Sequence, residues 1–151
     1  MSGASRLVSL GPIHLPQLME IERCSFASPW CEEDFLYWFG VEGALCLGFA
    51  RADELTAYAL GYCQDRDFHL TSLAVEPEFR RRGFAWELLH QMLRQAAARG
   101  AGKCTLEVRA ANRVALELYA KAGFRSVERR VNHYNDPRDD GIIMERGIEI
   151  L

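Results

Sequence analysis

The sequence predicts an α/β fold: a mixed central sheet of about seven strands flanked by about four helices. Three observations carry that prediction. Period-two runs alternate along the chain with segments whose apolar residues recur at helical spacing. Glycine and proline punctuate the joins between them. The chain is 151 residues long, nearly half hydrophobic and about a quarter charged, which is the composition of one globular domain over residues 1–151.

Arg6 to Leu10 reads as a short strand closed by Gly11 and Pro12. Pro16 suits the first turn of a helix carrying Leu18, Ile21 and Cys24 or Ser25 on one face. Ser28-Pro29-Trp30 breaks it, and Pro29 opens a second helix through Phe35, Leu36 and Phe39. Leu45 to Arg51 and Leu55 to Cys63 form a hairpin across Ala52-Asp53-Glu54, and Phe68 to Val75 is a further long strand. Phe84 to Arg99 is an amphipathic helix with Leu88, Leu89, Met92, Leu93 and Ala96 on one side, ended by Gly100 and Gly102. Cys104, Leu106 and Val108 alternate with Thr105, Glu107 and Arg109, a strand pattern. Asn112 suits the N-cap of the next helix and Gly123 its left-handed stop. Phe124 to Val131 and Gly141 to Ile148 complete the sheet.

The run Leu73-Ala74-Val75-Glu76-Pro77-Glu78-Phe79-Arg80-Arg81-Arg82-Gly83-Phe84-Ala85 joins a buried strand to a helix start. A helix start presents unpaired N–H groups and partial positive charge, and small residues let a ligand approach that backbone. The turn reads either as a cradle for a phosphate-bearing cofactor or as a connection with solvated arginines. Likewise Glu107 reads as a carboxylate facing a ligand, or as one on a solvated strand face paired with Arg109. Tyr119 reads as a core tyrosine, its hydroxyl on a carbonyl, or as a functional one.

The net charge of −3 argues against bulk nucleic-acid affinity and leaves the arginine cluster as a local feature suited to a small anion. Five cysteines, none in C-x-x-C spacing, point to neither a disulfide framework nor a metal site, and His69 and His90 are too isolated to ligate one. No signal peptide or membrane span is evident, so the expectation is a cytoplasmic protein without membrane partners.

Arg80-Arg81-Arg82-Gly83-Phe84-Ala85 resembles the [Q/R]-x-x-G-x-[G/A] motif of the GNAT acyltransferase superfamily. Leu106-Glu107-Val108-Arg109-Ala110-Ala111-Asn112, then Ala115 to Tyr119 and Gly123-Phe124, is similar to the L-E-V-R-x-x-N…A-x-x-L-Y-x-x-x-G-F signature of its RimI branch. Ile21-Glu22 with Ser28-Pro29-Trp30, and the tail from Tyr134 to Met144, are similar to that branch's two ends. Three departures are visible. Ala85 replaces the usual second glycine, His133 stands where the branch has the first tyrosine of a pair, and Asp139 and Gly141 replace a Glu and an Ala.

The resemblance implies the GNAT fold with a mostly antiparallel sheet, and acetyl-CoA as co-substrate with no metal. It also implies transfer to a protein N-terminus, with the N-terminal alanine of a small-subunit ribosomal protein as the expected acceptor. The amine attacks the thioester directly in a ternary complex, with Glu107 as general base and Tyr119 as general acid. Leu73, Ala74 and Val75 would meet the pantetheine arm, with N–H groups near Val75 for the developing oxyanion. The backbone of Arg82, Gly83, Phe84 and Ala85 would meet the pyrophosphate, with Arg81, Trp86 and Asn112 as further cofactor contacts. Trp30 and Tyr134 would contact the acceptor peptide. The expected state is a monomer or weak dimer. Acetylation of a lysine side chain or a small amine, and a non-catalytic acyl-CoA-binding module, are the alternatives.

Overall fold

A computed structural model describes residues 5–148. The strands are β1 (Arg6–Ser9), β2 (Ala44–Arg51), β3 (Glu54–Gln64), β4 (Asp67–Val75), β5 (Lys103–Arg109), β6 (Arg125–Tyr134) and β7 (Asp139–Gly147). The α-helices are α1 (Leu15–Ser25), α2 (Glu32–Phe39), α3 (Phe84–Ala98) and α4 (Arg113–Lys121). All seven strands join one sheet in the order β1-β2-β3-β4-β5-β7-β6. Every pairing is antiparallel except β4 with β5, whose parallel direction requires the α3 crossover between them.

Each sheet face is covered by helices, giving two cores. Leu88, Leu89 and Met92 of α3, with Tyr119 of α4, pack on Leu47, Phe68 and Leu106. On the other face Leu18 and Ile21 of α1 and Phe35 of α2 pack on Tyr58, Leu60 and Ala74. Alternation along β4 therefore sends Ala74 to one core and Val75 to the other.

The expected elements form, with three corrections. Pro29 does not open α2. Cys31 caps that helix instead, its N–H donating to Asp34 Oδ2 at 2.9 Å, a reciprocal cap that fixes the start three residues later, at Glu32. A short 3-10 turn, Pro77–Phe79, intervenes between β4 and the arginine run. Strand β6 continues past Val131 to Tyr134 through an irregularity between Arg130 and Tyr134, where Asn132 adopts φ +55°. That bulge interrupts the period-two pattern on which the earlier end rested.

One feature of the sheet positions everything functional. Parallel pairing of β4 and β5 runs only from Asp67↔Lys103 to Leu70↔Leu106. Beyond it β4 stays on β3 as far as Val75, and β5 stays on β7 as far as Arg109. The two strands thus diverge, leaving a wedge with an unpaired edge from Thr71 onward.

Candidate functional site

The wedge opens into a cleft of about 230 Å³. Thr71, Ser72 and Leu73 of β4 line one side, and Leu106, Glu107, Val108 and Arg109 of β5 the other. Asn112, Ala115 and Tyr119 close one end, while Glu22, Phe26, Ser28 and Trp30 and the aromatic ring of Tyr134 close the rest. Trp30, Leu73, Glu107, Asn112, Tyr119 and Tyr134, which lie far apart in sequence, therefore share one cavity.

Glu107 does not pair with Arg109, correcting that reading of the strand. Arg109 donates to the carbonyls of Pro137 at 2.8 Å and Asn135 at 3.3 Å, and its guanidinium lies 4.4 Å from the Tyr134 ring centre. The Glu107 carboxylate, about one-third exposed, is met from β6. His133 Nε2 lies 2.5 Å from Oε1, the Tyr134 hydroxyl donates to the same oxygen at 3.0 Å, and Arg130 stands 3.5 Å from Oε2. Successive residues of a regular strand point to opposite faces, so the bulge around Asn132 is what brings both His133 and Tyr134 to one oxygen. Burial, then the Glu107 charge, pushes the Tyr134 phenol well above its ordinary range.

Tyr119 is buried on the sheet-facing side of α4, edge-on to Phe124 at 5.6 Å. Its hydroxyl has no hydrogen-bond partner among the described residues, and no fully buried side-chain polar atom there is left unpaired. The hydroxyl thus reaches the cleft rather than a core carbonyl. Desolvation pushes its pKa well up, keeping it a proton carrier at neutral pH. Asn112 caps α4 as the sequence indicates, Oδ1 accepting from Ala115 N–H at 3.2 Å, while it also lines the cleft.

The start of α3 leaves backbone donors without side-chain or helical partners. Gly83 takes φ +84°, offers no side-chain cap, and a Cβ there would meet nothing within 4 Å. The first intrahelical bond is Glu87 N–H to Gly83 O, at 3.0 Å. The N–H groups of Phe84, Ala85 and Trp86 therefore lack helical acceptors, a donor set of the kind that can receive a pyrophosphate. Arg80 is committed elsewhere, to Val75 O at 3.0 Å and Ser25 Oγ at 3.0 Å, and Arg82 stacks over Phe79 at 5.3 Å. None of Ala74, Val75 and the Arg81-to-Trp86 run lines the cleft itself.

Sequence reasoning missed Glu22 as a site group. Its carboxylate is 2% exposed yet lines the cleft, accepting from Trp30 N–H at 2.8 Å and from the Tyr58 hydroxyl, which also meets Ser72 Oγ at 3.0 Å. Burial raises its pKa above the ordinary carboxylate value. The Ile21-Glu22 pair figured only as part of the family resemblance; its burial could not be read from the helix pattern, because Trp30 and Tyr58, the latter backed by Ser72, reach it from elsewhere in the fold.

No cysteine is among the residues lining the cleft. Burial pushes the Cys46 thiol up to about 11 and Cys104 to about 12, which removes both as nucleophiles at neutral pH. His14 serves as a local cap, its Nδ1 accepting from Gly11 N–H at 3.1 Å. Among the described residues three carboxylates, Glu54, Glu76 and Glu78, approach one another outside the cleft, and no helix is long and apolar enough to cross a membrane.

Residues 15–124 match the acetyltransferase (GNAT) family. The chain is 34% identical over 139 residues to the ribosomal protein bS18-alanine N-acetyltransferase of Salmonella typhimurium, covering 89% of this chain and 92% of that one. The corresponding Haemophilus ducreyi protein is 34% identical over 131 residues, covering 85% and 90%. The crystal structure of the ribosomal-protein-S18-alanine N-acetyltransferase from Escherichia coli superposes with a TM-score of 0.89 at 31% identity, over 98% of this chain and 96% of that one. At the level of fold alone, Arabidopsis thaliana NAA60, solved in complex with acetyl-CoA, matches with a TM-score of 0.84 at 20% identity, over 96% and 99%.

Proposed function

The chain belongs to the GNAT acetyltransferase family and is RimI-like, and from that premise we propose that it acetylates the N-terminal α-amino group of a protein, using acetyl-CoA. The favoured acceptor is the N-terminal alanine of a small-subunit ribosomal protein, the substrate class named for the relatives at 33–34% identity. The observation that carries the reading is the meeting of Glu107 and Tyr119 in one cleft at the diverging ends of β4 and β5.

Bound acetyl-CoA supplies a thioester carbonyl carbon for the amine to attack. The open edge of β4, Leu73 to Val75, offers backbone groups to an extended pantetheine arm, and N–H groups near Val75 stabilise negative charge developing on the carbonyl oxygen. The turn from Arg81 to Trp86 receives the pyrophosphate through its backbone, and Asn112 lies beside the arm.

An α-amino group has a pKa of about 7.7–8.0, so much of it arrives protonated at neutral pH. Glu107 takes that proton, directly or through one water. Tyr119, kept protonated by burial, donates to the departing thiolate. Trp30 and Tyr134 flank the carboxylate side of the cleft and hold the first residues of the acceptor. We place this chemistry in the cytoplasm, carried out by a monomer or weak dimer.

The test is CoA release with paired peptides beginning Ala, one with a free α-amine and one blocked there but carrying a lysine, alongside small amines. Turnover confined to the free α-amine supports the assignment. Equal turnover on the blocked, lysine-bearing peptide overturns it.

A further inference from the structure

Two of the departures from the family pattern, His133 and Gly141, meet in space. Gly141 of β7 lies under the His133 ring, and a Cβ built there would stand 3.0 Å from Cδ2 and 3.2 Å from Cγ. An alanine at 141, as the pattern has, would push this ring away. With glycine the ring settles inward, and Nε2 comes to 2.5 Å from Glu107 Oε1. The pair of changes thus installs an imidazole on the one carboxylate the chemistry uses.

We infer that His133 is a positioning residue that makes acetyl transfer depend on its own protonation, acting through Glu107. The inference rests on Glu107 being the general base. Neutral His133 with its proton on Nε2 donates to Oε1 and holds the carboxylate toward the cleft. Protonated, it is an imidazolium in contact with that carboxylate, so Glu107 binds the proton of the incoming ammonium less readily and the ammonium itself is repelled. No bond is made or broken at His133. Its charge sets the basicity of its neighbour.

The groups around the imidazole fit this role. From β5 it faces Glu107, with Arg109 held away over Tyr134. On its own strand Tyr134 packs edge-on at 4.9 Å and Arg130 reaches the other carboxylate oxygen. From β7, Asp140 is engaged by Arg129 at 2.7 Å and by Asn132 N–H at 2.8 Å, and Asp139 by Ala111 N–H at 3.0 Å. Glu107 is therefore the carboxylate that meets the ring among the described residues. The ring is one-third exposed, so it exchanges protons with water directly.

The experiment is the pH dependence of kcat/KM for an N-terminal peptide between about pH 5.5 and 8.5, in wild type, His133→Gln and His133→Tyr, with Glu107→Gln as control. Wild type should fall on the acid side with a logarithmic slope approaching two, one proton on the substrate amine and one on His133. The two His133 variants should fall with slope one, so that one unit below the imidazole midpoint they exceed normalised wild type by about tenfold. A second measurement is independent of how those variants fold: the His133 imidazole followed by NMR should lose its proton at lower pH in Glu107→Gln than in wild type. Matching normalised pH profiles, or an unmoved imidazole midpoint, overturns the inference. Wild-type turnover in Glu107→Gln instead overturns the general-base reading beneath it.

Discussion

Gly141 makes the space that the His133 ring occupies, the closest approach of a Cβ at 141 being 3.0 Å from His133 Cδ2. The contact is with the body of a ring, which yields by rotating away. Gly141→Ala should therefore separate His133 from Glu107 while leaving β7 paired with β5 and β6. A structure of the variant checks the separation, and its acid-side rate profile should move toward that of His133→Gln. An unmoved ring would show that glycine is not what admits it.

Under the proposed mechanism Glu107 and Tyr119 make separable contributions. Glu107→Gln keeps the shape of the side chain and removes the proton acceptor, and Tyr119→Phe removes a hydroxyl that bonds nothing else among the described residues. Each should lower kcat by about 10²-fold or more, the usual range for a positioned acid or base. Acetyl-CoA affinity and the thermal midpoint should stay near wild type. Stopped-flow binding and calorimetry separate these effects from a folding defect.

Gly83 tests the proposed cofactor turn. At φ +84° an alanine is strained by about 1–2 kcal/mol, although its methyl would touch nothing in the protein. Gly83→Ala should lose about 1–2 kcal/mol of stability and raise KM for acetyl-CoA with KM for the peptide unchanged. Gly83→Asn, which tolerates that backbone, should recover much of the stability. Equal effects on both KM values would argue against a pyrophosphate at this turn.

Glu22 should set a pH dependence of stability. Burial holds its folded-state pKa above the ordinary 4.5, so between the two values the folded chain binds more protons than the unfolded one. Stability from this group is fully present below about 4.5 and is lost as pH rises through the raised value. Glu22→Gln should flatten that slope while keeping an acceptor for Trp30 N–H. Glu22→Ala leaves Trp30 N–H and the Tyr58 hydroxyl short of a partner and should cost about 1–3 kcal/mol. Denaturant titrations across pH 4.5 to 8 measure both.

Positions that depend on a few neighbouring residues were legible in the chain alone. Asn112 caps α4, Gly123 ends it at φ +93°, and Gly83 opens α3, each because backbone angles and nearby donors decide such positions. Family motifs added which residues to watch, and Glu107 and Tyr119 do share a cavity. The local signal failed where two local rules competed, as when Pro29 resembled a helix start and the Cys31–Asp34 cap set the true one. The divergence of β4 from β5, the burial of Glu22 against Tyr58, and the bulge that turns His133 and Tyr134 onto one oxygen emerge from long-range packing. Those are set by the register and packing of strands tens of residues apart. A sequence pattern with period two states which residues share a face, but not which distant side chain waits there.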